Sequence, residues 1–196
     1  RGQIPVLVDP DGEVRLAPEL DLLAIIDARM TKKPPDLGMD AAPLVIGLGP
    51  GFNAGVNCHA VIETNRGHAL GRVIWDGEPQ ADTGLPGKVA TFRAERVLRA
   101  PVDGVIQDGL ELGLRVSRDQ VIATVEGQPV QSPFDGILRG LLHDGLRVHQ
   151  GMKIGDVDPR DDPSYARLVS EKSLAIGGGV LEALLSQPEL RQALWS

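Results

Sequence analysis

The most regular pattern of apolar and polar positions lies in the second half of the chain, and it occurs twice. Sliding the sequence against itself by 32 positions lays residues 100–125 on 132–157 without a gap, and ten pairs are identical, among them Asp103/Asp135, Gly104/Gly136, Gly113/Gly145, Val116/Val148 and Ile122/Ile154. Each copy predicts strands. A Pro-x-Asp-Gly turn is followed by an apolar pair (Val105-Ile106, Ile137-Leu138), a second turn at Gly113 or Gly145, a Leu-Arg-Val step and a closing apolar stretch at 121–125 or 153–157. A repeat of this kind is one supersecondary unit used twice, each copy leaving an apolar face for the other to cover. The expected architecture is a small sandwich or barrel of two interlocked halves related by a pseudo-twofold axis.

The first half alternates differently. Residues 4–8 (Ile-Pro-Val-Leu-Val) predict a buried strand, and Leu20, Leu23, Ile26 and Asp27 at helical spacing predict a helix over 18–30, ended by Pro34-Pro35. A second apolar run, Leu44-Val-Ile46, empties into Gly47-Leu-Gly-Pro-Gly-Phe-Asn-Ala-Gly55. Strand, helix and strand in that order imply a parallel βαβ unit. Residues 58–63 read as a further strand, whose alternation puts Cys58, Ala60 and Ile62 on one face and His59, Val61 and Glu63 on the other. At the C-terminus, Gly177-Gly-Gly179 precedes two predicted short helices, 180–185 and 188–195, with an apolar face from Leu181 to Trp195.

The fold class expected is therefore α+β. An incomplete Rossmann-like α/β segment with a glycine-rich loop (1–95) is followed by an all-β body carrying the two repeats (96–158) and by a glycine-rich, helical tail (159–196).

Composition narrows the function. Six aromatics in 196 residues leave the core to Val, Ile, Leu and Ala, and a net charge of −7 is the wrong sign for a polyanionic nucleic acid. A single cysteine forbids an internal disulfide and a cysteine-rich zinc site, and it fits a reducing, cytoplasmic setting. There is no signal peptide pattern and no apolar run long enough to span a bilayer. The chain starts at Arg1 and runs at once into an apolar stretch, which points to further residues upstream.

Ligands of open α/β sheets sit beyond the carboxyl ends of the strands, where glycine lets backbone N–H groups approach an anion. Gly47, Gly49 and Gly51 stand there, with Glu63, Arg66 and His68 at the end of the following strand, and Gly177, Gly178 and Gly179 could add an anion nest or let backbones pack closely. Phe52 occupies the third glycine position of the dinucleotide fingerprint, and a strand follows the loop where a helix would be needed. Cys58 is the weak candidate for a catalytic group. No metal site is expected, since His59 and Glu63 at i, i+4 on a strand are too far apart for one ion.

Residues 100–158 resemble the barrel-sandwich hybrid of biotinyl and lipoyl carrier domains. The connection Glu126-Gly-Gln-Pro-Val-Gln-Ser-Pro133 holds none of the lysine that those carriers acylate, so no covalent biotin or lipoate is expected. Across nearly the whole chain, Ala42 to Phe52, Ala60 to Ile74, Thr83-Gly-Leu-Pro-Gly87, Gly155 to Arg160 and Ala175 to Ala183 resemble the YqeB-type accessory proteins of the selenium-dependent molybdenum hydroxylase system. Members of that family usually carry a further N-terminal, nucleotide-fold-like stretch. The resemblance implies a factor for maturation of a molybdenum hydroxylase, with that hydroxylase or other accessory proteins as partners and an anionic ligand such as molybdopterin or a nucleotide. The alternatives are an enzyme that activates or transfers selenium through Cys58, with His59 or His68 as base, and a scaffold with no small-molecule site.

Overall fold

The computed structural model describes residues 4–17, 19–82 and 96–195. The motif Thr83 to Gly87 and the side chains of Leu194 and Trp195 lie outside the described residues. Two compact units divide the chain, one built from Arg1–Asp82 with Glu171–Ser196, the other from Thr83–Ser170. Twelve strands and two α-helices among the described residues make the chain α+β and mostly β.

The first unit holds a four-stranded sheet, β1 (Ile25–Asp27), β2 (Val45–Leu48), β3 (Ala60–Ile62) and β4 (Val73–Ile74), in that order. β1, β2 and β3 run parallel and β4 is antiparallel to β3. A parallel sheet needs cover on both faces. On one face Leu44, Ile46, Leu48, Ala60 and Ile62 pack against Ile176 and Ala183 of helix α1 (Glu171–Ser186) and Leu190 of α2 (Pro188–Trp195). On the other, Val45, Phe52, Ala54, Cys58 and Val61 form a second layer.

Three expectations are corrected here. Residues 4–8 form no strand, and Ile4, Val6 and Val8 are at least 90% exposed. No α-helix lies within the described residues 19–30. Ile26 and Asp27, counted on a helical face, instead belong to strand β1, and a 3-10 turn at Met39–Ala41 lies between β1 and β2 where the βαβ unit called for a helix. The Rossmann-like start is therefore reduced to parallel pairing without its crossover helix. β-branched Ile25 and Ile26 favour the extended backbone, and pairing with β2 overrides a helical stripe read from leucines that stay largely outside the core. The helix set at 180–185 begins at Glu171, so Gly177 to Gly179 lie inside it.

The second unit contains two four-stranded sheets. One has the order β5 (Val97–Arg99), β12 (Lys153–Asp158), β10 (Gly136–Leu141), β7 (Arg115–Val116); the other has β11 (Arg147–Val148), β6 (Gly104–Gln107), β8 (Val121–Val125), β9 (Gln128–Gln131). The repeat is visible in the pairing itself. β7 of the first copy pairs with β10 of the second through Gly136↔Val116, and β11 of the second pairs with β6 of the first through Val148↔Gly104. Each copy lends a strand to the sheet of the other.

Hydrogen bonds follow the same exchange. Asp103 Oδ1 accepts the Gln150 N–H at 2.6 Å, and Asp135 Oδ1 accepts the Arg118 N–H at 2.7 Å. The Gly113 N–H donates to Leu138 O and the Gly145 N–H to Ile106 O. Between the sheets Ile106, Val116, Ile122 and Val125 meet their counterparts Leu138, Val148, Ile154 and Val157, all at most 2% exposed. Each fully buried side chain of this size contributes roughly 1.5–3 kcal/mol. The turn between β8 and β9 has Glu126 and Gly127 at φ 48° and 74°, the paired left-handed geometry of a tight hairpin. The Glu126 carboxylate turns back and accepts the Val105 N–H at 3.1 Å.

Candidate functional site

Beyond the carboxyl ends of β1, β2 and β3 three loops meet. Their packing explains the glycines. A Cβ on Gly47 would lie 2.1 Å from the Phe52 ring, one on Gly49 2.4 Å from Thr64 Oγ1, and one on Gly51 2.3 Å from the Lys33 carbonyl oxygen. Gly49 and Gly51 also hold φ of 75° and 104°, which favours glycine. The Gly49 N–H is spent on the Ile62 carbonyl. The loop is thus filled by its own Phe52 ring, by the Thr64 side chain and by the Lys33 backbone.

Glu63 is 2% exposed, and its two carboxylate oxygens accept the N–H groups of Asn65 and Gln80, both at 2.7 Å. It ties two loops together. Arg66 forms an ion pair with Glu171 in the first turn of α1, whereas His68 is exposed to solvent. Gly177 and Gly178 lie on the exposed side of α1, and Gly179 is buried where the helix crosses the Gly71 carbonyl. The triple glycine does not form a nest, because its backbone groups lie within the helical ladder.

Cys58 is fully buried, as the alternation required, but in the layer of Val61 and Phe52 and not with Ala60 and Ile62. β3 begins only at Ala60, and Cys58 is held by an isolated bridge to Ala54, so the alternation does not run back to it. Burial pushes its thiol pKa up, against hydrogen bonds from the Gly47 and Asn53 backbone. A neutral buried thiol is a poor nucleophile. His59 is also engaged, its Nδ1 accepting the Val45 N–H at 2.9 Å.

Lys172 and Lys32 escaped the sequence reading. Lys172 is the second residue of α1, half-buried, and within electrostatic reach of Arg66, Lys32 and Glu63. The signal for it is the Ser170-Glu171 helix start, hidden while the helix was taken to begin after the glycines. Lys32 stands in the loop after β1 at φ 61° and pairs with Asp82 at 2.8 Å.

Near β1 a cavity of about 340 Å³ is lined by Asp9, Arg15, Asp27, Arg29 and Asp36 among others. Its acidic side chains outnumber the basic ones, and Arg29 donates to both Asp27 and Asp36, its hydrogen bonds holding the Asp36 carboxyl at a pKa of about 2. Among the described residues no group of three or more His, Cys, Asp or Glu could hold a metal ion, and no helix is long and apolar enough to cross a membrane.

No family model matches the chain. Over 185 residues it is 49% identical to a protein of Escherichia coli (strain K12) described as "Uncharacterized protein YqeB". The match takes in 94% of this chain and 34% of the relative, so the chain spans about a third of the length of the curated protein it resembles.

Proposed function

We propose that this chain is part of an accessory factor for maturation of a selenium-dependent molybdenum hydroxylase, and that it acts by binding and not by covalent chemistry. The observation that carries the second clause is the state of Cys58, which is 0% exposed with its thiol pKa raised. A chalcogen carrier needs an accessible thiolate. The first clause rests on the motif resemblance, and the similarity to YqeB supports the family level of that resemblance.

In this reading the second unit is a rigid, biotinyl/lipoyl-like barrel-sandwich body that docks on the hydroxylase or on another accessory protein. The exchanged pairing of β6, β7, β10 and β11 supports that fold. Its hairpin tip, Glu126-Gly127, is clasped to β6 and offers no prosthetic arm. The first unit holds an anionic cofactor or nucleotide during the transfer.

The test is complementation of a deletion strain, with hydroxylase activity and selenium content as readouts. Wild type and Cys58→Ala are both expected to restore activity. Loss of activity with the folded Cys58→Ala protein would favour selenium transfer, and no dependence on the gene at all would end the accessory reading.

A further inference from the structure

We propose that the outward face of helix α1, centred on Gly177 and Gly178, is a docking surface for a second copy of this chain, the two helices packing antiparallel. Such self-association goes beyond the accessory role above and does not depend on it.

Helix α1 is apolar on both sides. Ile176, Gly179 and Ala183 are buried on the side that meets the sheet. On the opposite side Leu174 and Leu181 are 69% and 53% exposed. They stand seven residues apart, which at about 3.6 residues per turn puts one above the other on a single line of the helix. A helix that is apolar all round belongs in an interior, so the outer line calls for a cover. Gly177 and Gly178 stand between the two leucines, one on each side of that line. Both are exposed, and nothing among the described residues lies within 4 Å of a Cβ built on either. Glycine is the poorest helix former after proline. Close packing on Gly71 requires Gly179, but the contacts within the unit make no such demand on the two residues before it. Bare backbone in the middle of a helix lets another backbone come close.

The pattern singles out its own partner. From Leu174 to Leu181 the outer positions run Leu-x-x-Gly-Gly-x-x-Leu, which reads the same from either end. A twofold interface is one patch meeting itself, and it needs a patch that is self-complementary. An antiparallel pair about the midpoint of Gly177 and Gly178 sets Leu174 of each copy against Leu181 of the other, with glycine against glycine at the crossing. Charge agrees with this arrangement. Glu171, Lys172 and Glu182 all lie off the line of the leucines, so no like charges are opposed along it. Antiparallel packing also sets the positive N-terminal end of each helix beside the negative C-terminal end of the other. Two strips of a 16-residue helix, each about 24 Å long and about 10 Å across, hide on the order of 1,000 Å² in all. That is the size of a reversible dimer and not of an obligate one.

The test is sedimentation velocity of the purified full chain over a concentration series reaching the submillimolar range, with far-UV circular dichroism to show that each variant is folded. The wild-type chain is expected to pass from monomer to dimer. Leu174→Glu and Leu181→Lys each put an unpaired charge into the contact and should raise the dissociation constant at least about tenfold. The double variant Leu174→Glu/Leu181→Lys sets opposite charges face to face across an antiparallel pair, and should bring the constant back to within about threefold of wild type. In a parallel pair it would oppose like charges and associate no better than either single variant. Leu112→Glu, at an exposed position of the second unit, should leave the constant unchanged. A wild-type chain that stays monomeric throughout would hand the face to a different partner and overturn the proposal. Association indifferent to Leu174→Glu, or a folded double variant that stays apart, would overturn it equally.

Discussion

The carbonyl oxygen of Gly71 lies 2.1 Å from where a Cβ on Gly179 would stand. Helix α1 can settle on the sheet because that position is bare. Gly177 and Gly178, two residues and one residue earlier, have nothing within 4 Å of the same construction. Three consecutive glycines therefore have opposite sensitivities. Gly177→Ala and Gly178→Ala are each expected to stabilise the protein by roughly 0.5–1 kcal/mol, the usual gain from removing glycine inside a helix. Gly179→Ala should destabilise it by about 3 kcal/mol, since backbone must move to admit the methyl group. Urea denaturation of the three variants checks the signs.

The thiol of Cys58 should be silent in the folded protein. It is fully buried and its pKa is raised. A disulfide reagent at neutral pH is expected to label it at the rate at which the unit opens, and at the rate of a free thiol in strong denaturant. Fast labelling under native conditions would restore Cys58 as a reactive group.

Acid should act through two clasped carboxylates. Hydrogen bonds from Arg29 hold Asp27 below the ordinary carboxylate range. Burial works to raise the Asp158 pKa, but the side chain and backbone of Arg160, with the charges of Arg160 and Arg139, outweigh it and the net shift is downward. A folded-state pKa below the unfolded one gives stability that is complete above about pH 4 and fades as pH falls through the folded value. Asp158→Asn is expected to cost about 2 kcal/mol near neutral pH, the scale of a charged hydrogen bond. The cost should shrink towards zero in strong acid, and urea midpoints across that range measure it.

The pseudo-twofold axis also makes a quantitative demand. Asp103 and Asp135 each accept one N–H from the opposite copy, Gln150 and Arg118 respectively. Asp103→Ala and Asp135→Ala should therefore cost similar amounts, about 1 kcal/mol each as for other side-chain caps. Markedly unequal values, from thermal or urea unfolding, would mean that the two clasps are not equivalent.

The strands of the second unit were legible in the sequence because its repeat carries the turn residues. Pro-x-Asp-Gly, Gly113 and Gly145 fix the hairpins, and the alternating aliphatic positions Ile106, Val116, Ile122 and Val125 with their counterparts face inwards, whereas Leu114, Val121 and Leu146 stay exposed. What 32-residue self-similarity does not state is which strand crosses to which sheet. That depends on long-range pairing such as Val148↔Gly104. The first unit was less legible because its elements are short. Ile25–Asp27 is a three-residue strand, too brief to impose its period on the leucines before it. The start of α1 was hidden by glycine, which sequence reasoning treats as a breaker and packing here requires. Glu63 and Arg66 were picked out by their position at a strand end, while Lys172 could be found only once the helix was known to begin at Glu171.

The way the two repeats trade strands bears on how the second unit comes to exist at all. β5 completes its partner copy through β12 just as β9 completes the other through β8, so every edge of one half is finished by the other. Neither half is a nucleus in its own right. The polypeptide must bring distant segments together before any burial rewards it, a topology associated with slow, all-or-none folding. Two peptides divided at the Glu126-Gly127 tip would be expected to stay disordered apart and to gain structure only as a one-to-one mixture.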